Sequence, residues 1–233
     1  MPRRTPSAKP RADPLSADRE NTLRITEIYP SIQGETTHGG KPCVFVRLTG
    51  CNLRCSWCDS VYTFTGGEHR SVEDVAQEAH ALGIHTVEVT GGEPLVQKAA
   101  VPLMQRLIEL GHEVMLETSG SRDISVVPEP VIVIMDLKAP DSGEADSNRW
   151  ENIPHLRPHH EVKFVIASRR DYEWARGVIA EHTLSERCTV LISPAWGLVD
   201  MQALVQWMLD DHLPARLSLQ IHKVIWDKDT KGV

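Results

Sequence analysis

The chain lacks any apolar run near the ~20 residues that a membrane-spanning helix needs; its densest run, Val131 to Met135, holds five. It lacks an excess of positive charge, with 25 Lys and Arg against 32 Asp and Glu and a net charge of −7. Gripping nucleic acid needs a basic field or stripe, so direct nucleic-acid binding is not expected. Also missing are an even cysteine set and an export leader. Five cysteines without a leader point to a reducing compartment, the cytoplasm, and away from a disulfide framework. No internal repeat is visible.

What is present fits one domain with a tail. Residues 1 to 21 begin Met-Pro-Arg-Arg-Thr-Pro-Ser-Ala-Lys-Pro-Arg and contain few large apolar groups, so they are expected to be a disordered tail. Residues 22 to 233 are long enough to bury a substantial core. From Thr22 onward, strand and helix patterns mostly alternate. Leu23–Tyr29 alternates polar and apolar residues, and Cys43–Leu48 is a short apolar run bounded by Pro42 and Gly50. Ser71–Leu82 reads as a helix, with Ser71 and Asp74 as a capping pair, and Gly83 ends it. Strands are then expected at Thr86–Val89, Glu113–Glu117, Val131–Leu137, Glu161–Ile166, Thr189–Ile192 and Leu217–Ile221. Helices are expected at Gln97–Leu110, Asp171–Glu181 and Asp200–Asp210.

Strands separated by helix-length segments predict βαβ units and a mainly parallel sheet. The units are too few for a closed eight-fold barrel, so the expected fold class is α/β, an incomplete parallel β/α barrel. Sites on such sheets lie beyond the carboxyl ends of the strands. The polar groups that suggest chemistry cluster there: the cysteine loop after Leu48, Gly91-Gly92-Glu93 after Val89, Thr118-Ser119 after Leu116, Lys138 after Leu137, and Ser193 after Ile192.

Cys51, Cys55 and Cys58 form a C-x3-C-x2-C loop. A 4Fe–4S cluster normally takes four cysteines, so three would leave one iron open to a non-protein ligand. A structural zinc site is the alternative, but such sites are usually closed by a fourth Cys or His. His69 is the nearest downstream candidate and lies outside the usual short knuckle. Cys43 and Cys188 sit in apolar strand contexts and read as small buried hydrophobes. The His-rich stretch from His155 to His160 reads as a polar loop.

Five segments, in order, carry a resemblance: Ser31-Ile32-Gln33-Gly34-Glu35; Arg47; the run from Cys51 to Asp59 with Trp57 before its third cysteine; Thr90-Gly91-Gly92-Glu93-Pro94; and Gln220-Ile221-His222-Lys223. The loop resembles that of the radical S-adenosylmethionine (SAM) enzymes. The whole set closely resembles the 7-carboxy-7-deazaguanine synthase (QueE) family of that superfamily, over about residues 23 to 233. The resemblance implies a 4Fe–4S cluster on the three cysteines, SAM on the open iron, and cleavage of SAM to a 5′-deoxyadenosyl radical. It implies SAM contacts from Trp57, Cys58, Asp59, Gly92, Glu93, Glu117, Ser119, Asp136, Leu137, Lys138, Ser193 and Pro194.

It further implies 6-carboxy-5,6,7,8-tetrahydropterin as the substrate, whose ring contracts with loss of ammonia to give 7-carboxy-7-deazaguanine for 7-deazapurines such as queuosine. Ile32, Gln33, Gly34, Glu35, Thr90 and His222 would meet the pterin, and Arg47 would fork onto its carboxylate. Mg²⁺ would sit on the hydroxyl of Ser60, where the family more often has Thr. A flavodoxin- or ferredoxin-like electron donor and a homodimer are implied too. Two rivals are a radical SAM activase of a glycyl-radical partner and a zinc-bound tRNA-maturation module. The Gln33/Glu35/Arg47 set opposes the first and the acidic balance opposes the second.

Overall fold

A computed structural model describes residues 21–227, 230 and 232. The expected tail therefore lies outside the described residues except for Asn21. The strands are β1 (Thr22–Ile32), β2 (Pro42–Leu48), β3 (Glu68–Ser71), β4 (Thr86–Gly91), β5 (Glu113–Thr118), β6 (Ile132–Asp136), β7 (Glu161–Ile166), β8 (Thr189–Pro194) and β9 (Arg216–Leu217). The helices are α1 (Val72–Ala81), α2 (Ala100–Glu109), α3 (Arg169–Glu181), α4 (Leu184–Arg187), α5 (Met201–Asp210) and α6 (His222–Ile225). One sheet runs in the order β3-β1-β2-β4-β5-β6-β7-β8-β9. Pairing from β2 through β9 is parallel, as expected of a partial β/α barrel.

The start of the sheet departs from the parallel expectation. β1 pairs antiparallel with both β2 and β3. Only residues 33–41 join β1 to β2, too short a link for a parallel crossover. β3 was not expected, because Glu-His-Arg-Ser carries no apolar alternation; its backbone pairing, not burial, makes it a strand.

Each inner strand sends one set of side chains to the helices and the other to the barrel interior. On β4, Val87 and Val89 join the core with Val75, Leu103 and Leu107, while Glu88 and Thr90 line an interior cavity. A second core lies under α3 and α5, where Phe164, Tyr172, Ile179, Ile192 and Leu204 pack. Ser71 caps α1 by accepting from the Asp74 amide at 3.0 Å. Helix α2 starts at Ala100 rather than Gln97. Gln97 is diverted: its side-chain amide donates to the carbonyls of Arg24 (3.0 Å) and Thr49 (2.9 Å) and ties the β1 and β2 ends together.

The last expected strand shortens to two residues. The Ser218 amide still donates to Ile192 at 2.9 Å, but Ile221 donates to Gly34 at 3.0 Å, which turns the chain across the mouth of the barrel. Among the described residues no helix is long and apolar enough to cross a membrane.

Candidate active site

The carboxyl ends of the parallel strands open into one cavity of about 680 Å³. That volume suits a small ligand with a cofactor. Cys51, Cys55 and Cys58 all line it, each partly buried. Burial raises all three thiols, and the Lys138 ammonium partly offsets this at each one. The loop is held in place along its length. Gly50 N–H donates to Thr63 at 2.8 Å, and Ser56 N–H to Ser142 at 3.0 Å. The Ser56 hydroxyl reaches the Asp141 carbonyl at 2.8 Å, and the Asn52 amide reaches Ser121 at 3.0 Å. Among the described residues, no three Cys, His, Asp or Glu side chains converge on a single ion position. Three thiols in one short loop can each bind a different iron of a cluster, whereas a structural zinc is usually closed by a fourth Cys or His.

The Gly91-Gly92-Glu93 turn packs against this loop. Gly92 N–H donates to Leu48 at 3.2 Å and Glu93 N–H to Gly50 at 2.9 Å. A Cβ on Gly92 would fall 2.2 Å from the Gly50 carbonyl oxygen and 2.8 Å from Cys51 Cβ. The glycine thus lets the two loops touch. Glu93 was expected among the SAM contacts, but it is fully buried and does not line the cavity. Its carboxylate accepts from the Thr118 hydroxyl (2.9 Å), the Ser119 amide (2.7 Å) and the Ser119 hydroxyl (2.5 Å). It clamps the end of β5 to the glycine turn. Leu137 is likewise buried and off the cavity, its side chain in the core under α3 and α5. The remaining expected contacts line the cavity: Trp57, Asp59, Ser60, Gly92, Glu117, Ser119, Asp136, Lys138, Ser193 and Pro194 of those expected at SAM or Mg²⁺, and Ile32, Gln33, Gly34, Glu35, Arg47, Thr90 and His222 of those expected at the substrate.

The far wall is built on charge. Lys163, 3% exposed, bonds Glu35 at 2.7 Å and Glu117, and stands 3.5 Å from Asp136. Burial would lower its pKa, yet the three carboxylates outweigh that and hold it well above the usual lysine value. Burial would raise Glu35 and Asp136, but Lys163 lowers Glu35, and Lys138 with Lys163 lowers Asp136. Asp136 Oδ1 accepts no hydrogen bond from the described residues and is offset only by the Lys163 ammonium at 3.5 Å. Glu88, also buried, is pushed up to about 8 by desolvation and by nearby Glu117. Its protonated form is therefore favoured relative to an ordinary carboxylate.

Several expected substrate contacts are already engaged. The Gln33 carbonyl accepts from the amides of Glu35 (2.8 Å) and Thr36 (2.9 Å), and its amide donates to Glu88 at 3.2 Å. Its side chain shapes the loop, so a ligand would meet this segment at its backbone. Thr90 donates to Glu117 at 3.2 Å. Arg47 Nε pairs with Glu27 at 2.8 Å and Nη2 donates to the Tyr29 hydroxyl at 2.6 Å. His222 packs so closely on Gly34 that a Cβ there would lie 2.3 Å from Nδ1.

Asp59 sits at the rim with half its side chain exposed. Desolvation would raise it, but Lys223 at 2.9 Å holds it at about 2, with help from the Ser60 hydroxyl at 3.1 Å. Mg²⁺ prefers oxygen and keeps several waters, so one hydroxyl beside a carboxylate fits it.

Lys163, Glu88, Gln220 and Lys223 were not assigned to the site from the sequence. A charged residue inside an apolar strand, Val162-Lys163-Phe164 or Val87-Glu88-Val89, is the signal that marks the first two. Buried Cys43 and Cys188 lie away from the cysteine loop, as expected. His160 accepts from the Arg157 amide at 3.3 Å, and burial pushes it down to about 4, which suits a structural imidazole in the turn before β7.

The chain matches the radical SAM superfamily model over residues 45–141. It is 49% identical to the 7-carboxy-7-deazaguanine synthase of Koribacter versatilis, over 91% of this chain and 100% of that protein. It is 39% identical to that of Chlorobaculum tepidum, over 92% of this chain and 99% of the other. The solved structure of QueE from Escherichia coli superposes with a TM-score of 0.73 at 21% identity, covering 90% of this chain and 99% of that one, and supports the fold.

Proposed function

Because the chain belongs to the 7-carboxy-7-deazaguanine synthase family of radical SAM enzymes, we propose that it contracts the ring of 6-carboxy-5,6,7,8-tetrahydropterin to 7-carboxy-7-deazaguanine with loss of ammonia. The observation that carries this reading is the meeting, in one cavity, of the three-cysteine loop with Arg47, Glu35, Glu117 and His222. When bound, the 4Fe–4S cluster and SAM supply the radical that takes a hydrogen from the substrate.

The chain's own residues divide the remaining work. Cys51, Cys55 and Cys58 hold the cluster, and Lys138 places positive charge beside them. Gly92, Ser119, Asp136 and Ser193 face SAM with polar backbone or side-chain atoms. Arg47 takes the substrate carboxylate on the free end of its guanidinium. Glu35, kept ionised by Lys163, and Glu117, paired with the same lysine, accept from the N–H edge of the pterin. Such pairing rejects analogues that cannot satisfy the buried carboxylates. When protonated, Glu88 adds a donor on the cavity floor, where another carboxylate would repel Glu117. Ser60, beside Asp59, offers Mg²⁺ an oxygen ligand. A flavodoxin- or ferredoxin-like reductant, a homodimeric state and a cytoplasmic setting belong to the same reading.

The test is anaerobic reconstitution with iron and sulfide, then incubation with SAM, Mg²⁺, a reductant and the carboxylated tetrahydropterin. A deazaguanine chromophore is expected together with released ammonia. A protein with an intact cluster that cleaves SAM but yields no deazaguanine would sink the assignment. Arg47→Ala should raise the substrate KM by about ten- to a hundred-fold, as expected for loss of a charge-assisted hydrogen bond. Iron content should be unchanged.

A further inference from the structure

Glu27 stands on the interior face of the sheet because of a break in pairing. In β1, Ile25 is opposite Leu48 and Glu27 is opposite Arg47, so two residues of β1 advance against one of β2. Ile25 and Leu48 both belong to the core beneath the helices. Regular alternation would send Glu27 the same way, into an apolar layer. The bulge turns it to the other face, beside Arg47. Bulges next to active sites re-aim side chains in this manner.

Once there, the Glu27 carboxylate makes two bonds through one oxygen. Oε1 accepts from Arg47 Nε at 2.8 Å and from the Tyr62 hydroxyl at 2.7 Å. Tyr62 belongs to the short turn Val61–Thr63 that directly follows Ser60 and the cysteines. The Tyr29 hydroxyl accepts from Arg47 Nη2 at 2.6 Å, and its ring stacks on Phe45 with centroids 5.3 Å apart. The side edge of the guanidinium is thus taken on two sides. Arg47 lines the cavity, and neither bond uses Nη1, which leaves that nitrogen for a ligand.

We propose that Glu27 is a positioning residue: it aims the free end of Arg47 at the substrate carboxylate and, through Tyr62, fixes that cation relative to the cysteine loop. This rests on the reading of Arg47 as the carboxylate-binding group. Arg47 without Glu27 would keep its charge but lose its direction. A carboxylate set against the guanidinium also offsets part of its pull on a second carboxylate, so removing the acceptor and removing the charge act in opposite directions.

The experiment uses reconstituted, SAM-loaded enzyme and two probes: the carboxylated tetrahydropterin and the same pterin without its carboxylate. Affinity for each is measured in the unsubstituted protein, Glu27→Ala, Glu27→Gln, Tyr62→Phe and Arg47→Ala, alongside iron content and substrate-independent SAM cleavage. Glu27→Ala should weaken binding of the carboxylated probe about ten-fold, the scale of one charge-assisted bond, and leave the other probe unchanged. Glu27→Gln keeps the accepting oxygen and should bind the carboxylated probe at least as tightly as the unsubstituted protein. Tyr62→Phe should show a smaller loss in the same direction as Glu27→Ala.

Unchanged preference for the carboxylate in Glu27→Ala, equal weakening of both probes, or a Gln variant as impaired as the Ala variant would each overturn the proposal. If Glu27→Ala fails to hold its cluster, the Gln and Phe variants still decide it. If Arg47→Ala itself leaves the preference unchanged, the assignment of Arg47 has failed. An Arg47 effect without a Glu27 effect isolates the failure to Glu27.

Discussion

The two walls of the cavity are held by different forces. The cofactor wall, formed by the cysteine loop, the glycine turn and the end of β5, is fixed by backbone hydrogen bonds, Glu93 to Gly50, Gly92 to Leu48, Gly50 to Thr63 and Ser56 to Ser142, and by the buried Glu93 carboxylate on Thr118 and Ser119. The substrate wall is held by side-chain charge: Arg47 with Glu27, Lys163 with Glu35 and Glu117, and Lys223 with Asp59. Backbone contacts leave little freedom and respond weakly to salt. Ion pairs depend on pH, on salt and on each partner being present. The cofactor wall should therefore fail abruptly when altered, and the substrate wall by degrees.

The sharpest break is Cys55→Ala. With one of three thiolates gone, the cluster should not assemble with an open iron, and SAM cleavage should be abolished. Electron paramagnetic resonance of the reduced protein with and without SAM reads this directly. A SAM-responsive signal retained in the variant would mean that the ligands are misassigned.

Gly92→Ala comes next. Its methyl group would lie 2.2 Å from a backbone oxygen, not from a flexible side chain, so one of the two loops must move. Overpacking of this kind costs roughly 1–3 kcal/mol, and displacement of the cysteine loop should lower SAM cleavage further than stability alone explains. Normal cleavage would show that the loops are less tightly registered than their contacts imply.

Lys163→Met tests the other wall. It leaves Glu35, Glu117 and Asp136 facing one another without their shared cation. Breaking a buried ion pair by removing one partner costs about 3–5 kcal/mol. The pH dependence contributed by Glu35 should also reverse in sign. In the unsubstituted protein the pKa values of Glu35 and Asp136 are lowered on folding, so their contribution is present at neutral pH and is lost as pH falls through the folded values. Without Lys163, burial dominates at Glu35 and its folded pKa lies above the unfolded one. Acidification from neutral pH should then destabilise the variant less than the unsubstituted protein, as thermal melts across pH would record, because only Asp136 keeps a cation, Lys138. A parallel fall in both proteins would deny Lys163 this role.

This contrast also sets what the sequence reveals. The cofactor wall is legible because a cluster demands thiols at fixed spacing and a close loop contact demands glycine, so Cys51, Cys55, Cys58 and Gly92 stand out locally. For Glu93 the motif gives identity but not direction; only the packed fold shows its carboxylate turned toward Thr118 and Ser119. The substrate wall is harder to read. Lys163 meets Glu35 from a distant part of the chain, and nothing near either residue announces the other. Glu27 depends on a bulge that has no residue signature, and without it the strand period would place that carboxylate in the core. The expected strand at Leu217–Ile221 failed for a related reason: its apolar alternation was right, but Gly34 captures the Ile221 amide and bends the chain across the mouth.

The smallest effect should come from Lys223→Met. Lys223 and Asp59 meet at the rim, where Asp59 is half-exposed, and exposed pairs contribute about 0–1 kcal/mol. Thermal stability should hardly change. The Asp59 carboxylate, now without the cation that keeps it at about 2, should titrate closer to the ordinary range. Since Asp59 accepts from the Ser60 hydroxyl, the variant's dependence on Mg²⁺ should become steeper in mild acid while remaining near normal at neutral pH. Added salt should weaken the Mg²⁺ response of the unsubstituted protein toward that of the variant, because screening acts on the pair that the substitution removes. An Mg²⁺ response equally insensitive to pH and salt in both proteins would separate the rim pair from the metal and leave Ser60 to act without it.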